Sequence, residues 1–212
     1  MDIEKQIEEV LLKHKGLVYY SLDNTLVGEL FLPYGDSYDV VIKLDSYPRF
    51  FPDVYEIGGR IPIKMDRHIY PDTGSCCFTT GAKSQIFLKT KITSLIKFID
   101  EIVVQYFENN SFYEINGTYC YTEYDHGSKG VVQSYQDILG IKDIKSIVRL
   151  ILERLQNKKL TIRDSCYCSS GHNLKKCSSG LHCTNYRLFR MIDKDMLYND
   201  LKHFENVLQI SD

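Results

Sequence analysis

The sequence predicts an α+β fold, an antiparallel meander sheet flanked by helices, with a small cysteine-bearing module and a closing helix toward the C-terminus. Three observations carry this. Apolar residues recur at helical spacing at both ends and in the middle of the chain, a block near the start alternates with the period of a strand, and four of the seven cysteines fall between Cys166 and Cys183. With 212 residues, 43% hydrophobic and 25% charged, the composition is that of a globular protein with one main domain and a small appendage.

Each element has its own signal. Ile3, Ile7, Val10 and Leu11 share one helical face, and Gly16 follows Lys15 where a helix C-cap is expected. Three strands are expected at 17–22, 25–32 and 37–44, separated by Asp23-Asn24 and by Pro33-Tyr34-Gly35-Asp36, both turn-forming clusters. In the third, Tyr38, Val40, Ile42 and Leu44 alternate with Asp39, Val41, Lys43 and Asp45, so one face is buried and the other mostly polar.

Residues 45–89 lose periodicity, with prolines at 48, 52, 62 and 71 and glycines at 58, 59, 74 and 81; a long irregular stretch inside a domain points to function. Ile92, Leu95, Ile96, Ile99, Ile102, Val103 and Tyr106 then form a helical stripe, the expected core helix. A tyrosine-rich polar stretch, 109–127, precedes two helices at 130–139 and 144–155 divided by Gly140. Met196, Leu197, Leu201, Phe204 and Leu208 mark a last helix over 192–210. The expected division is a main domain at 1–156 and a cysteine module with terminal helix at 157–212.

The net charge of −2 is unevenly spread. Residues 157–190 hold seven Lys or Arg against the single Asp164, a local charge of +6 that leaves −8 elsewhere. Met1 leads into an acidic amphipathic stretch unlike a signal peptide, and no apolar run approaches membrane-spanning length, so a cytoplasmic protein with no membrane partner is expected. In a reducing compartment the clustering of Cys76 with Cys77, and of Cys166, Cys168, Cys177 and Cys183, points to metal or catalysis rather than to a disulfide framework.

The order helix, three strands, proline-bearing segment, cysteine and long helix resembles the ubiquitin-conjugating enzymes, together with three local stretches: Tyr47-Pro48-Arg49-Phe50-Phe51-Pro52-Asp53-Val54, His68-Ile69-Tyr70-Pro71, and Gly74-Ser75-Cys76-Cys77-Phe78. The resemblance spans roughly residues 1–140 and puts Cys77 in the place of the family's active thiol. Phe51 stands for the first of the family's paired prolines, and Tyr70 stands where its asparagine would position the oxyanion. Asp72-Thr73-Gly74 and Asp125-His126-Gly127 through Gly130 are more similar to bacterial relatives of the family. Those relatives often accompany a ubiquitin-like protein, an activating enzyme and a peptidase, and several serve antiviral defence.

The residues make a case of their own for Cys77. Carrying an activated acyl group needs a sulfur that attacks readily and then leaves, in a loop open to the incoming nucleophile. Cys77 follows a glycine turn, with Arg67, His68 and Asp72 close enough in sequence to shape its electrostatics. The competing reading is that both cysteines are small buried hydrophobes. Neighbours in extended chain face opposite ways, so only one of the pair reaches a groove, and Cys76 is expected to pack inward. His68 either donates to a developing oxyanion or ties the loop to backbone, and His126 is a candidate activator of the nucleophile.

Further along, Cys166-Tyr167-Cys168-Ser169-Ser170-Gly171, two lysines and Cys177 resemble the SEC-C motif, a short zinc module found at the end of the bacterial preprotein translocase ATPase and elsewhere. The resemblance implies one structural zinc on Cys166, Cys168 and Cys177. Ser178 occupies the position of the family's fourth ligand, so His182 or Cys183 must supply it. So short a segment needs the metal to fold. The basic side chains around it could also meet nucleic acid, although such charge is commonly just a solvated surface.

The expectation is a thioester-forming conjugating enzyme acting through Cys77, with a ubiquitin-like modifier, an activating enzyme and a protein target as partners. Its rivals are a non-catalytic binding module on the same scaffold and a zinc-dependent nucleic-acid or protein adaptor.

Overall fold

In the computed structural model, which describes residues 2–120 and 124–210, Asp2 starts helix α1 (Ile3–Lys13) by accepting the Glu4 N–H at 3.1 Å. The helix buries Gln6, Ile7 and Val10. Gln6 is a polar residue in an apolar place, and its side-chain oxygen accepts from both the Tyr47 hydroxyl and the Leu95 N–H at 2.8 Å. The helix ends at His14 and not at Gly16. Gly16 answers a different need: a Cβ on Gly28 would lie 2.1 Å from the Gly16 carbonyl oxygen, and Gly28 itself sits at φ +142°, so two glycines let the chain cross at close range.

Strands β1 (Leu17–Tyr20), β2 (Thr25–Phe31), β3 (Ser37–Lys43) and β4 (Asp53–Glu56) form one antiparallel sheet in the order β1-β2-β3-β4. The first three match the expected meander; β4 lies in the stretch expected to be irregular. Four residues in the middle of prolines are too few for a periodic signal. Leu26, Leu30, Tyr38, Val40, Ile42 and Val54 fill the buried face. The outer face pairs Val18 with Val27, Val27 with Val41 and Val41 with Tyr55 across the strands.

The core helix runs without a break from α3 (Leu95–Phe98), through a π turn at Ile99–Val103, into α4 (Val104–Asn116). It extends well into the polar stretch, where Asn109 and Asn110 are buried, and stops at Gly117 with φ 71°. Leu95, Phe98, Ile99, Val103 and Phe107 pack into the same core as the sheet and α1.

The chain divides into two units, Met1–Phe78 with Phe87–Glu123 and Thr79–Ile86 with Tyr124–Asp212. The division passes through helix α2 (Gly81–Thr90), which the sequence does not announce. The second unit is helical, with α5 (Gly127–Leu139), α6 (Ile144–Leu155), α7 (Leu181–Phe189) and α8 (Lys194–Ile210). Gly140 at φ 68° ends α5, and Asp143 caps α6 by accepting from the Ser146 N–H.

The expected boundary after residue 156 therefore falls inside this unit. The apolar stripes of α5 and α6, with Tyr135, Leu139, Ile147 and Ile151, share one core with Cys166, Tyr167, Phe189 and Phe204. The cysteine segment is thus a surface knuckle on a helical body instead of a separate appendage. Among the described residues no helix is long and apolar enough to cross a membrane.

Candidate functional site

Two places gather chemistry-bearing side chains, one in each unit. All seven cysteines are free thiols.

In the first unit, residues 68–70 and 75–77 form a narrow antiparallel hairpin. The Cys77 N–H donates to the His68 carbonyl at 2.7 Å and the Tyr70 N–H to the Ser75 carbonyl at 2.9 Å, which makes Ile69 and Cys76 the directly opposed pair. The turn closes through the Gly74 N–H on the Tyr70 carbonyl at 2.7 Å, with Gly74 at φ 75°, where a side chain would be strained. The Cys76 N–H donates to the Val54 carbonyl at 2.7 Å and so ties the hairpin to β4.

Pleating then sorts the side chains. Ile69 and Cys76 point into the core, 1% and 6% exposed, and burial pushes the Cys76 thiol up to about 12. Cys77 is turned the other way and is half-buried. Tyr70 is the diagonal neighbour of Cys77 across the hairpin, a separation that a long aromatic side chain spans. Its hydroxyl meets Cys77 Sγ at 3.1 Å, with the thiol donating. Burial first, then the charge of Cys77 and the hydrogen bond to it, raises the Tyr70 hydroxyl above the ordinary phenol range, so Tyr70 keeps its proton at physiological pH.

His68 contributes through its backbone. It takes the left-handed conformation at φ 52°, and its carbonyl accepts from both the Cys77 N–H and, at 2.9 Å, the Tyr106 hydroxyl. Its ring stands edge-on to Tyr119 at 5.2 Å. Arg67 is turned inward and is 9% exposed. It donates to the Asn110 side-chain oxygen at 3.1 Å and to the Tyr119 hydroxyl at 3.2 Å, and stacks on Tyr113. Arg67 is thus a brace for the loop. Tyr106 and Phe78 meet edge to face beneath it. His126 belongs to the second unit, where it is exposed and occupies the residue before α5.

The second place is the set Cys166, Cys168, Cys177 and His182, whose ligand atoms all lie within 4.8 Å of one another. The chain is folded to bring them there. A short bridge between Ser165 and Asn173 closes the first knuckle, with the Cys166 N–H on the His172 carbonyl at 2.9 Å and Ser169 and Gly171 in left-handed conformations. Tyr167, buried between two ligands, anchors the knuckle by donating to the Leu139 carbonyl at 2.7 Å. Ser178, Ser179 and Gly180 then all take positive φ, which reverses the chain and returns His182, in the first turn of α7, to the cysteines. This turn explains why the ligand spacing lengthens where Ser178 follows Cys177.

Sulfur–sulfur distances of 3.5 and 3.4 Å and sulfur–Nδ1 distances of 3.3 Å join the four groups. A tetrahedral ion with ordinary zinc–sulfur bonds needs edges of about 3.7 Å, so a slight expansion of the set would accommodate it. Burial raises the Cys166 thiol, whereas at Cys168 burial is outweighed by hydrogen bonds with Ser170, Cys177 and Cys166, and that thiol is lowered. The four residues can hold one metal ion. Cys183, the alternative fourth ligand, does not join them and packs, half-buried, against the second core. Lys158, Lys159, Arg163, Lys175, Lys176 and Arg187 are exposed around the knuckle.

Of the expected site residues, the hairpin brings Cys77 against the His68 backbone, and the knuckle brings three cysteines to His182. The contact of Tyr70 with Cys77 is not among the expected ones; its signal in the sequence is the pleat, which across the four-residue turn 71–74 puts residues 70 and 77 on one face. No protein-family model matches this chain, and no curated protein or solved structure matches it.

Proposed function

We propose that this chain is a ubiquitin-like conjugating enzyme: Cys77 takes the C-terminus of a ubiquitin-like modifier from an activating enzyme as a thioester and passes it to an amine of a protein target. The observation that carries the reading is the division of labour in the Cys76–Cys77 pair. One thiol is locked in the core, and the other sits outside the hairpin beside a neutral hydroxyl. The resemblance to bacterial conjugating enzymes in the Tyr-Pro, His and Gly-x-x-Cys stretches supports the same assignment and, with it, a role in antiviral defence.

The chemistry asks three things of the protein. The sulfur must be held at a fixed place, which the Cys77 N–H bond to His68 does. It must attack the carbonyl that the modifier presents in thioester linkage on the activating enzyme, forming a C–S bond at Cys77 as the old C–S bond breaks and the activating enzyme's sulfur leaves with the electron pair as thiolate. It must also remain open to an amine, as a half-buried thiol on a turn-closed hairpin is.

In the second unit the donor set of three sulfurs and one nitrogen suits zinc, and a closed shell of four protein ligands gives a structural site. The metal would hold the knuckle together and present its basic surface to a partner.

Incubating the chain with its cognate modifier, activating enzyme and ATP is expected to give an adduct that reductant removes. Cys77→Ala abolishes it and Cys76→Ala keeps it. A verified cognate set that yields no adduct overturns the proposal in favour of a non-catalytic binding module.

A further inference from the structure

We infer that Tyr70 is a catalytic hydrogen-bond donor to the Cys77 sulfur, the group that stabilises the thiolate both as nucleophile and as leaving group. The inference rests on the reading of Cys77 as acyl carrier. It starts from the 3.1 Å approach of the Tyr70 hydroxyl to Sγ and from the hairpin register that enforces it.

The register leaves little choice. Ser75 is opposite Tyr70 and His68 is opposite Cys77, so a side chain at position 70 must cross a diagonal of about 7–8 Å between Cα atoms to reach the sulfur. A phenol spans that distance and an amide on a single methylene does not. Both of the hairpin's cross-strand bonds and its Gly74 closure are backbone bonds, so the diagonal is fixed independently of either side chain.

The hydroxyl is a donor and not a base. At Tyr70, burial acts first, followed by the charge of Cys77, the hydrogen bond with it and the charge of Asp72. Each of these influences keeps the phenol protonated. Cys76 and Tyr106, on the core side of the hairpin, are both pushed up by burial and stay neutral.

While Cys77 is a thiol it donates to the phenol oxygen. Once it ionises, the phenol rotates its O–H toward the sulfur and donates instead, a charge-assisted bond roughly twice as strong as a neutral one. In the discharge step the target nitrogen adds to the thioester carbonyl. The C–N bond forms, the C–S bond breaks, sulfur leaves with the electron pair as thiolate, and the proton shed by nitrogen passes to water. Tyr70 meets the departing thiolate with its O–H and ends the step with its own proton in place.

The test separates this inference from the function it rests on. Alkylation of Cys77 by iodoacetamide needs neither modifier nor activating enzyme and reads the sulfur directly. It is followed at the Cys77 peptide by mass spectrometry, in the full chain and in Tyr70→Phe, which keeps the ring and removes only the hydroxyl.

In Tyr70→Phe the pH–rate profile is expected to move to higher pH, with the rate near neutrality falling about ten-fold, the effect of one hydrogen bond to an ionised sulfur. Discharge of a preformed thioester to free lysine is expected to slow by a similar factor. Matching circular dichroism of the two proteins places the effect at the sulfur. An unchanged alkylation profile with an unchanged discharge rate overturns the inference while leaving the thioester intact. Absence of the thioester in the unaltered chain overturns the function, whatever Tyr70→Phe does to alkylation.

Discussion

At the scale of the residue, one alternation decides the chemistry. Cys76 and Cys77 are chemically identical and adjacent, and the hairpin sends the first into the core at 6% exposure and leaves the second outside. The loop that does this is held from below by Arg67, a cation buried against Asn110, Tyr119 and Tyr113. Replacing it by a residue of similar reach without donors, Arg67→Met, leaves the buried Asn110 oxygen without that partner. A loss of about 1–3 kcal/mol in urea unfolding is expected, together with faster alkylation of Cys76 as the loop loosens. The identities of Cys77 and His182 as candidates are legible in the sequence, because both rest on spacing. The roles of Arg67 and Tyr70 are not: one reads as a loop charge and the other as a missing asparagine until the pleat fixes where each points.

At the scale of the element, legibility follows length and periodicity. Strands β1 to β3 and helices α1, α5, α6 and α8 have repeating apolar positions and turn or cap residues at their ends, and each lies within a few residues of its expected place. Strand β4 and helices α2 and α7 are missed for the converse reason. The first is four residues long, and α7 follows a left-handed turn that local propensity does not encode. The turn between β2 and β3 shows how elements are held by charge. Arg60 bridges Asp36 at 2.8 Å and Glu114 of α4 at 2.7 Å and lies over the Tyr38 ring.

The Arg60 bond, with help from Ser111 and the Ser37 N–H, lowers Asp36 well below the ordinary carboxylate range. A carboxylate lowered in the folded state lends stability that is present above its unfolded value and is lost as pH falls through the folded one. Because Asp36 is more than a third exposed, its contribution at neutral pH is expected to stay below about 1 kcal/mol. The difference in urea midpoint between the unaltered chain and Asp36→Asn should therefore be small at pH 7 and narrow further as pH drops below about 4. A difference that grows in acid would show that the clamp is not what lowers the carboxyl.

At the scale of the molecule, the chain is two units with separate cores. The sequence suggested a main domain with a tail because the cysteine cluster is the visible change in composition. The two compact units are divided elsewhere along the chain, and helices α5 and α6 share one core with α7, α8 and the knuckle. The four side chains that can hold a metal ion include residues of that second core, with Cys166, Cys177 and His182 buried. Metal content by mass spectrometry under native conditions is expected to show one zinc per chain. A strong chelator or Cys177→Ser should remove it and lower the melting transition of the second unit by at least about 5 °C. Full retention of both metal and melting temperature in Cys177→Ser would remove that cysteine from the ligand set.

The proposed function makes a single sulfur, Cys77, the carrier of the modifier. Its most direct measurement is peptide mapping of the adduct formed with cognate modifier, activating enzyme and ATP, digested without reductant at mildly acidic pH. The expected result is the modifier's C-terminal residue in thioester linkage on the peptide containing Cys77. That linkage on the exposed Cys120 or any other thiol, or an amide on lysine with no thioester, would contradict it.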